Sequence, residues 1–147
     1  MILGIGIDVV EAERFNPWLT YTHERLNKVF TDQELVDCRN AEGTLIAEKL
    51  AVRYAAKEAF YKALSGALIK ANSTQIVATR LLYKEFSFLQ LASHCHVQYG
   101  TWGVPILVVE WDAVEELSGS HVPLVMKAHL SLSHERTMAV AMVVIEN

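Results

Sequence analysis

The chain has little of what marks several common protein classes. No apolar run is long enough to span a bilayer, so no membrane-crossing role is expected. The opening Met1-Ile2-Leu3-Gly4 carries neither the basic stretch nor the cleavage site of a secretory leader, and a cytoplasmic protein is the expectation. The two cysteines, Cys38 and Cys95, have no metal or redox spacing and read as reduced thiols. There is no excess of positive charge: the net charge is −4, which argues against broad nucleic-acid binding. Docking of an acidic protein would need a local cluster of Arg and Lys that the overall balance hides. No internal repeat and no low-complexity tract interrupts the chain.

What is present is an apolar majority, 52% against 20% charged, in 147 residues. That composition suits one packed domain over residues 1–147 rather than a disordered chain.

Residues 2–10 form a β-type run in which Ile5 and Ile7 alternate with Gly4 and Gly6. One face is apolar and the other almost bare, and bare backbone lets a neighbouring chain or a ligand approach closely. Asp8 is expected at the strand's end, either capping the next helix or serving as a site carboxylate. The Gly4-x-Gly6 pair is not a dinucleotide fingerprint, because Val9 stands where the third glycine belongs.

A short helix with Pro17 is expected over 11–19, bearing Arg14, followed by a segment with His23, Arg25 and Lys28. Thr31 and Glu34 make a capping box, with Phe30 and Leu35 placed as its hydrophobic staple, so a helix is expected to about Asn40. The pattern predicts a long central helix from about Glu42-Gly43-Thr44 to Ser65-Gly66, with Gly66 as its stop. Beyond it a loop is expected over 67–75, and strands over 76–91, 96–99 and 104–111, the last two joined by a turn at 100–103. A helical turn over 112–118, a loop over 119–123 and a hairpin of strands 128–134 and 138–145 complete the chain. The fold class is α+β, a long central helix packed on a small antiparallel sheet.

Candidate chemistry concentrates in the long helix. Arg53, Lys57, Glu58 and Lys62 sit among Ala, Phe and Tyr. Glu58 and Lys62, four apart, share a face, as do Arg53 and Lys57. On the helix alone Glu58 and Lys62 are an ordinary ion pair. Joined by Asp8, Glu58 and Lys62 would suit Mg²⁺ with a diphosphate, because Mg²⁺ takes one or two carboxylates plus phosphate oxygens. At the far end Ser131, Ser133 and His134 close a strand. Ser133 and His134 point to opposite faces, which disfavours a nucleophile pair and favours phosphate contacts at a site edge. His94-Cys95-His96 lacks the further ligands that a zinc site needs.

Four stretches carry a resemblance: Gly4-Ile5-Gly6-Ile7-Asp8-Val9-Val10-Glu11, Phe30-Thr31 before a helix, the helix from Arg53 to Leu64, and Leu130-Ser131-Leu132-Ser133-His134. In this order, in a chain of this length, they resemble the holo-acyl-carrier-protein synthases, the small 4′-phosphopantetheinyl transferases. The resemblance implies their fold and reaction: the phosphopantetheine arm of coenzyme A moves to a serine of acyl carrier protein and 3′,5′-ADP leaves, in the service of fatty acid biosynthesis. It implies that Asp8 and Glu58 hold Mg²⁺ and that Lys62 lies by the phosphates. It places Gly66, Gly103, Pro105, Ser133 and His134 near coenzyme A. It makes Arg14 a contact for the acidic carrier, and Arg25, Lys28, Arg39 and Arg53 could extend that basic patch. It also implies a homotrimer with sites between subunits, and neither a nucleic-acid nor a membrane partner. Two departures stand out. Gly103-Val104-Pro105 replaces the Gly-Lys-Pro of relatives, and residues 67–98 do not follow the family pattern. On the residues alone, another Mg²⁺-dependent enzyme acting on a nucleotide diphosphate, or a non-catalytic module of the same fold, remain alternatives.

Overall fold

The computed structural model describes residues 1–74, 86–119 and 126–147. Strand β1 (Ile2–Glu11) leads into a 3-10 helix (Ala12–Thr20) and two short helices, α1 (His23–Leu26) and α2 (Asp32–Asp37). The long helix α3 (Ala47–Thr74) follows, then α4 (Phe88–Ala92), the strand pair β2 (Cys95–Tyr99) and β3 (Pro105–Val109), α5 (Trp111–Ser118), and the hairpin β4 (Lys127–His134) and β5 (Met138–Glu146). The chain is α+β, as its pattern predicts. β1, β5 and β4 form one antiparallel sheet in that order, and β2 with β3 forms a second. Among the described residues no helix is long and apolar enough to cross a membrane.

α3 is the axis of the core. Its inward face is a run of small and large apolar residues, Leu50, Ala51, Ala55, Ala56, Ala59, Phe60, Ala63 and Leu64, all fully buried. The alanines leave a shallow groove, and β1 lies in it. Gly4 backs onto the carbonyl of Ala63 and Gly6 onto that of Ala59, so the bare face of β1 is covered by this chain's own helix. Ile5, Ile7 and Val9 consequently face outward, 61%, 57% and 49% exposed.

α2 starts as expected. The Thr31 hydroxyl accepts from Glu34 N–H while the Glu34 carboxylate accepts from Thr31 N–H, the reciprocal capping box. Glu34 does more than cap. Lys57 Nζ, fully buried, lies 2.8 Å from Glu34 Oε2 and donates to the carbonyls of Val29, Ala92 and Cys95. A buried ammonium keeps its charge only with such a complete set of acceptors.

Several boundaries differ from the sequence pattern. Asp8 sits inside β1, paired across to Ala141, and Glu11 takes the helix N-cap instead. The short helix expected over 11–19 is present as a 3-10 helix at Ala12–Thr20. α3 begins at Ala47, because Gly43 (φ +80°) turns the chain and Arg39 bridges Leu45 before it. Gly66 does not stop α3, and residues 67–74 are helix rather than loop. A mid-helix glycine costs about 0.5–1 kcal/mol relative to Ala, and burial of Leu64, Ala67 and Leu68 around it outweighs that. Of the strand expected over 76–91, residues 76–85 lie outside the described set, and Phe88–Ala92 is helix, with Ser87 and Gln90 forming a second capping box. Trp111, expected at the end of a strand, is the first residue of α5. Of the loop expected over 119–123, Gly119 is the left-handed cap of α5 and the rest lies outside the described residues.

Candidate active site

The packing of β1 on α3 sets the site. Along β1 the inward positions are Gly4, Gly6, Asp8 and Val10. Two glycines hold the strand close to the helix, so the next inward side chain, Asp8, meets the helix one turn on. There Lys62 Nζ donates to Asp8 Oδ1 at 2.7 Å and to the Ile7 carbonyl at 3.1 Å. Glu58, one turn earlier on α3, accepts from the Tyr54 hydroxyl through Oε1 at 3.2 Å. Tyr54, Glu58 and Lys62 therefore form one stripe spaced four apart, and Asp8 joins it from the strand.

The electrostatics are those of a shared site. Burial pushes the Glu58 carboxyl above its ordinary value, with the Asp8 charge adding to the rise, while the Tyr54 hydrogen bond, Lys62 and Arg14 oppose it. Burial also pushes the Tyr54 phenol up, to about 12, with Glu58 adding to the effect, so Tyr54 remains a donor at neutral pH. Asp8 Oδ2 is buried and has no hydrogen-bond partner among the described residues. A buried carboxylate oxygen without a donor is costly, and a cation ligand is the partner its chemistry asks for. Among the described residues no group of three or more His, Cys, Asp and Glu gathers around a point. The donor set is two carboxylates, which suits a hard cation completed by water and phosphate oxygens and not a structural zinc. His94 is taken up by Glu110 at 2.9 Å, and Cys95 is buried with its thiol pushed up to about 12.

The remaining candidates separate. Leu132 pairs with Ala141 and Ala141 with Asp8, so these three share the helix-facing side of the sheet. Ser131 and Ser133 fall on the other side, beside Met142, Ile7, Val140 and Val9. Within one chain Ser133 thus faces away from Asp8, two strands across, about 10 Å at ordinary strand spacing. His134 lies with Glu48, Lys49, Val52, Arg53 and Tyr99 around a cavity of about 60 Å³.

Arg53 is not a surface docking residue. It is 3% exposed, donates to the Lys49 carbonyl, lies 3.7 Å from Asp37 and sits under the Tyr99 ring at 5.5 Å. Its charge is committed to the interior, and its Nε lacks a partner among the described residues. Arg14 and Arg25 do stand at the surface; Arg25 covers Tyr21 at 3.5 Å, and Arg14 lies 6.0 Å over Tyr54. Arg14 is thereby a neighbour of Glu58 as well as a surface cation. Gly103 (φ +71°) and Pro105 flank the tip of the β2–β3 hairpin, where Trp102 is left-handed (φ +68°) and 96% exposed. Gly66 is exposed, with open space where a Cβ would stand. Sequence reasoning missed Tyr54; its place four residues before Glu58 was the available signal.

Comparison with known proteins gives one answer. Residues 4–116 match the model of the 4′-phosphopantetheinyl transferase superfamily. The chain is similar to the holo-acyl-carrier-protein synthase of Treponema pallidum subsp. pallidum, 36% identical over 99% of this chain and 97% of that relative. It is similar to that of Bacillus thuringiensis (strain Al Hakam), 31% identical over 100% and 98%. Among solved structures, the holo-acyl-carrier-protein synthase of Bacillus anthracis str. Ames in complex with CoA (3′,5′-ADP) superposes with a TM-score of 0.60 at 29% identity, covering 100% of this chain and 98% of that one.

Proposed function

The chain belongs to the 4′-phosphopantetheinyl transferase superfamily and is a phosphopantetheinyl transferase of the holo-acyl-carrier-protein synthase type, and from that premise we propose a Mg²⁺-dependent transfer centred on Asp8, Glu58 and Lys62. The observation that carries it is the Lys62–Asp8 contact between two distant segments, with Glu58 one turn away on the same helix and electrostatically coupled to both, and an Asp8 oxygen that has no hydrogen-bond partner among the described residues.

In this reading coenzyme A is the donor and a serine of apo-acyl carrier protein the acceptor. The serine oxygen forms a bond to the phosphorus that bears the pantetheine, and the bridging P–O bond of the diphosphate breaks to release 3′,5′-ADP. Asp8 and Glu58 would hold Mg²⁺, which when bound neutralises diphosphate charge. Lys62, anchored on Asp8, lies where it neutralises or protonates the leaving phosphate oxygen. A site carboxylate, acting through a water, takes the serine proton. His134, at the end of β4 beside a small cavity that Lys49 also lines, would contact a phosphate of the donor. Gly66, Gly103 and Pro105 would lie along the rest of the donor.

The acceptor arrives beside Arg14, with Arg25 extending the basic surface. The assembly proposed is a homotrimer. The outer face of the sheet, with Ile5, Ile7, Val9 and Met142 at 43–61% exposure, is an apolar patch of the kind that another surface covers. Ser133 stands on that face, so in the trimer it serves a neighbour's site. The setting proposed is fatty acid biosynthesis in the cytoplasm.

The test is incubation with coenzyme A, Mg²⁺ and apo-acyl carrier protein, read by carrier mass. A gain matching phosphopantetheine is expected, abolished by Glu58→Ala. No gain, with Glu58→Ala indistinguishable from the wild type, overturns the reading.

A further inference from the structure

We propose that Tyr54 is a positioning residue for this site: its hydroxyl holds one oxygen of Glu58 so that the other is offered to the divalent cation in a single orientation. The inference rests on the reading of Glu58 as a cation ligand and names the group that makes it one.

The geometry separates the two ends of Tyr54. Its ring is fixed by edge and tilted contacts with Phe15 (5.2 Å), Trp18 (5.8 Å) and Phe88 (5.1 Å), with the Arg14 guanidinium above it at 6.0 Å. These contacts need only a ring, and phenylalanine would make them equally well. The hydroxyl has one partner among the described residues, Glu58 Oε1 at 3.2 Å. Glu58 is a half-buried side chain with several rotatable bonds, and holding it still for a ligand costs rotamer entropy. Tyr54, one turn away on the same rigid helix, removes that freedom in advance. With Oε1 taken, Oε2 is the oxygen left for a ligand, as Oδ2 is the oxygen that Lys62 leaves free on Asp8. Among the described residues each carboxylate thus has one oxygen held by the protein and one uncommitted, and two single-oxygen ligands leave room for the waters and phosphate oxygens Mg²⁺ retains. Groups that orient a metal-ligating side chain typically contribute 10–100-fold in metal affinity or activity.

The test is a Mn²⁺ titration followed by electron paramagnetic resonance, with saturating coenzyme A and no carrier, so that no turnover enters the measurement. Tyr54→Phe is expected to weaken Mn²⁺ binding about tenfold with no loss of melting temperature. Glu58→Ala is expected to weaken it further, and the double variant to bind no more weakly than Glu58→Ala alone, because Tyr54 acts only through Glu58. Tyr61→Phe, which removes a hydroxyl bonded to the Phe86 carbonyl, is expected to change nothing. Tyr54→Phe binding within twofold of the wild type, additive effects in the double variant, or no saturable Mn²⁺ binding by the wild type would each overturn the proposal. Saturable binding that Tyr54→Phe weakens supports it even where no carrier is modified, a result that would count against the transfer reading alone.

Discussion

Lys62 Nζ stands 2.7 Å from Asp8 Oδ1, although 54 residues separate the two in the chain. The lysine is both the clasp that ties β1 to α3 at the site and a cation already in place before any metal arrives. These two roles predict opposite signs. In Lys62→Ala, Asp8 loses a competing positive charge, so the Mg²⁺ concentration for half-maximal activity is expected to fall. The maximal transfer rate is expected to drop about 100-fold, the usual cost of losing one charge-stabilising group. A steady-state Mg²⁺ titration separates the two. An unchanged rate would remove Lys62 from the chemistry.

Glu58 carries a cost that the fold bears at neutral pH. Burial raises its carboxyl above the ordinary 4.5. A carboxyl whose folded pKa exceeds its unfolded one binds its proton more tightly when folded. Stability therefore falls as pH rises through the interval between the two values, and the loss is complete above the folded value. Glu58→Gln removes the ionisation. Calorimetry at pH 7 in chelator is expected to show a higher melting temperature for the variant than for the wild type, with the advantage gone below pH 4.5, where both side chains are neutral. Mg²⁺ is expected to raise the melting temperature of the wild type and not of Glu58→Gln. A variant less stable than the wild type at pH 7 would refute the burial cost.

Two glycines should respond oppositely to the same substitution. At Gly6 a methyl group would overlap the carbonyl of Ala59 and the amide nitrogen of Ala63, backbone atoms that cannot swing aside. Gly6→Ala is expected to cost about 3 kcal/mol, the upper range for overpacking, or to prevent folding. At Gly66 nothing stands within reach of a Cβ, and Gly66→Ala in a helix interior is expected to add about 0.5–1 kcal/mol. Urea unfolding measures both. If the donor's phosphates approach the Gly66 backbone, Gly66→Ala also raises the KM for coenzyme A while stability improves.

Much of this is legible in the chain. The alternation of Ile5 and Ile7 with Gly4 and Gly6 announces a strand with one bare face, and Thr31 with Glu34 announces α2. The unread part is tertiary. Nothing in β1 says which face turns inward; that follows from the groove cut by Ala59 and Ala63, residues more than 50 positions away. Arg53 and Lys57 look like surface charges on any helical wheel, and Asp37, Glu34 and four backbone carbonyls make their burial tolerable. The aromatic surroundings of Phe88–Ala92 suggest a strand, but the Ser87 and Gln90 capping box is the better local signal and the structure follows it. The site is legible in part for the same reason. Glu58 and Lys62 are neighbours on one helix, but Tyr54 counts only once its ring is seen locked beneath Arg14.

The buried hub of Lys57 and Glu34 should be asymmetric under substitution. Lys57→Met strands a carboxylate at 1% exposure and leaves three carbonyls without their donor. The expected loss is about 3–5 kcal/mol, the range for breaking a buried pair from one side. Glu34→Gln combined with Lys57→Met removes the stranded charge and should recover part of that loss. Equal destabilisation of the single and double variants in urea would show that the carbonyls, and not the ion pair, are what Lys57 serves.

The apolar outer face of the sheet makes assembly testable without a partner in hand. Ile7→Glu puts a charge beside Met142, on the face proposed to be covered by neighbouring chains. Light scattering is expected to report a trimer for the wild type and a monomer for Ile7→Glu. The shared site has a sharper test. Glu58→Ala and His134→Ala are each expected to be inactive alone, the first lacking a carboxylate on α3 and the second the imidazole at the end of β4. If a site combines Glu58 of one chain with His134 of the next, unfolding and refolding the two variants together restores activity. With equal amounts mixed at random, about a quarter of the intersubunit sites hold both native residues in a cyclic trimer, and about a quarter of wild-type activity should return. If both residues of a site belong to one chain, every site keeps one of the two lesions and no activity returns.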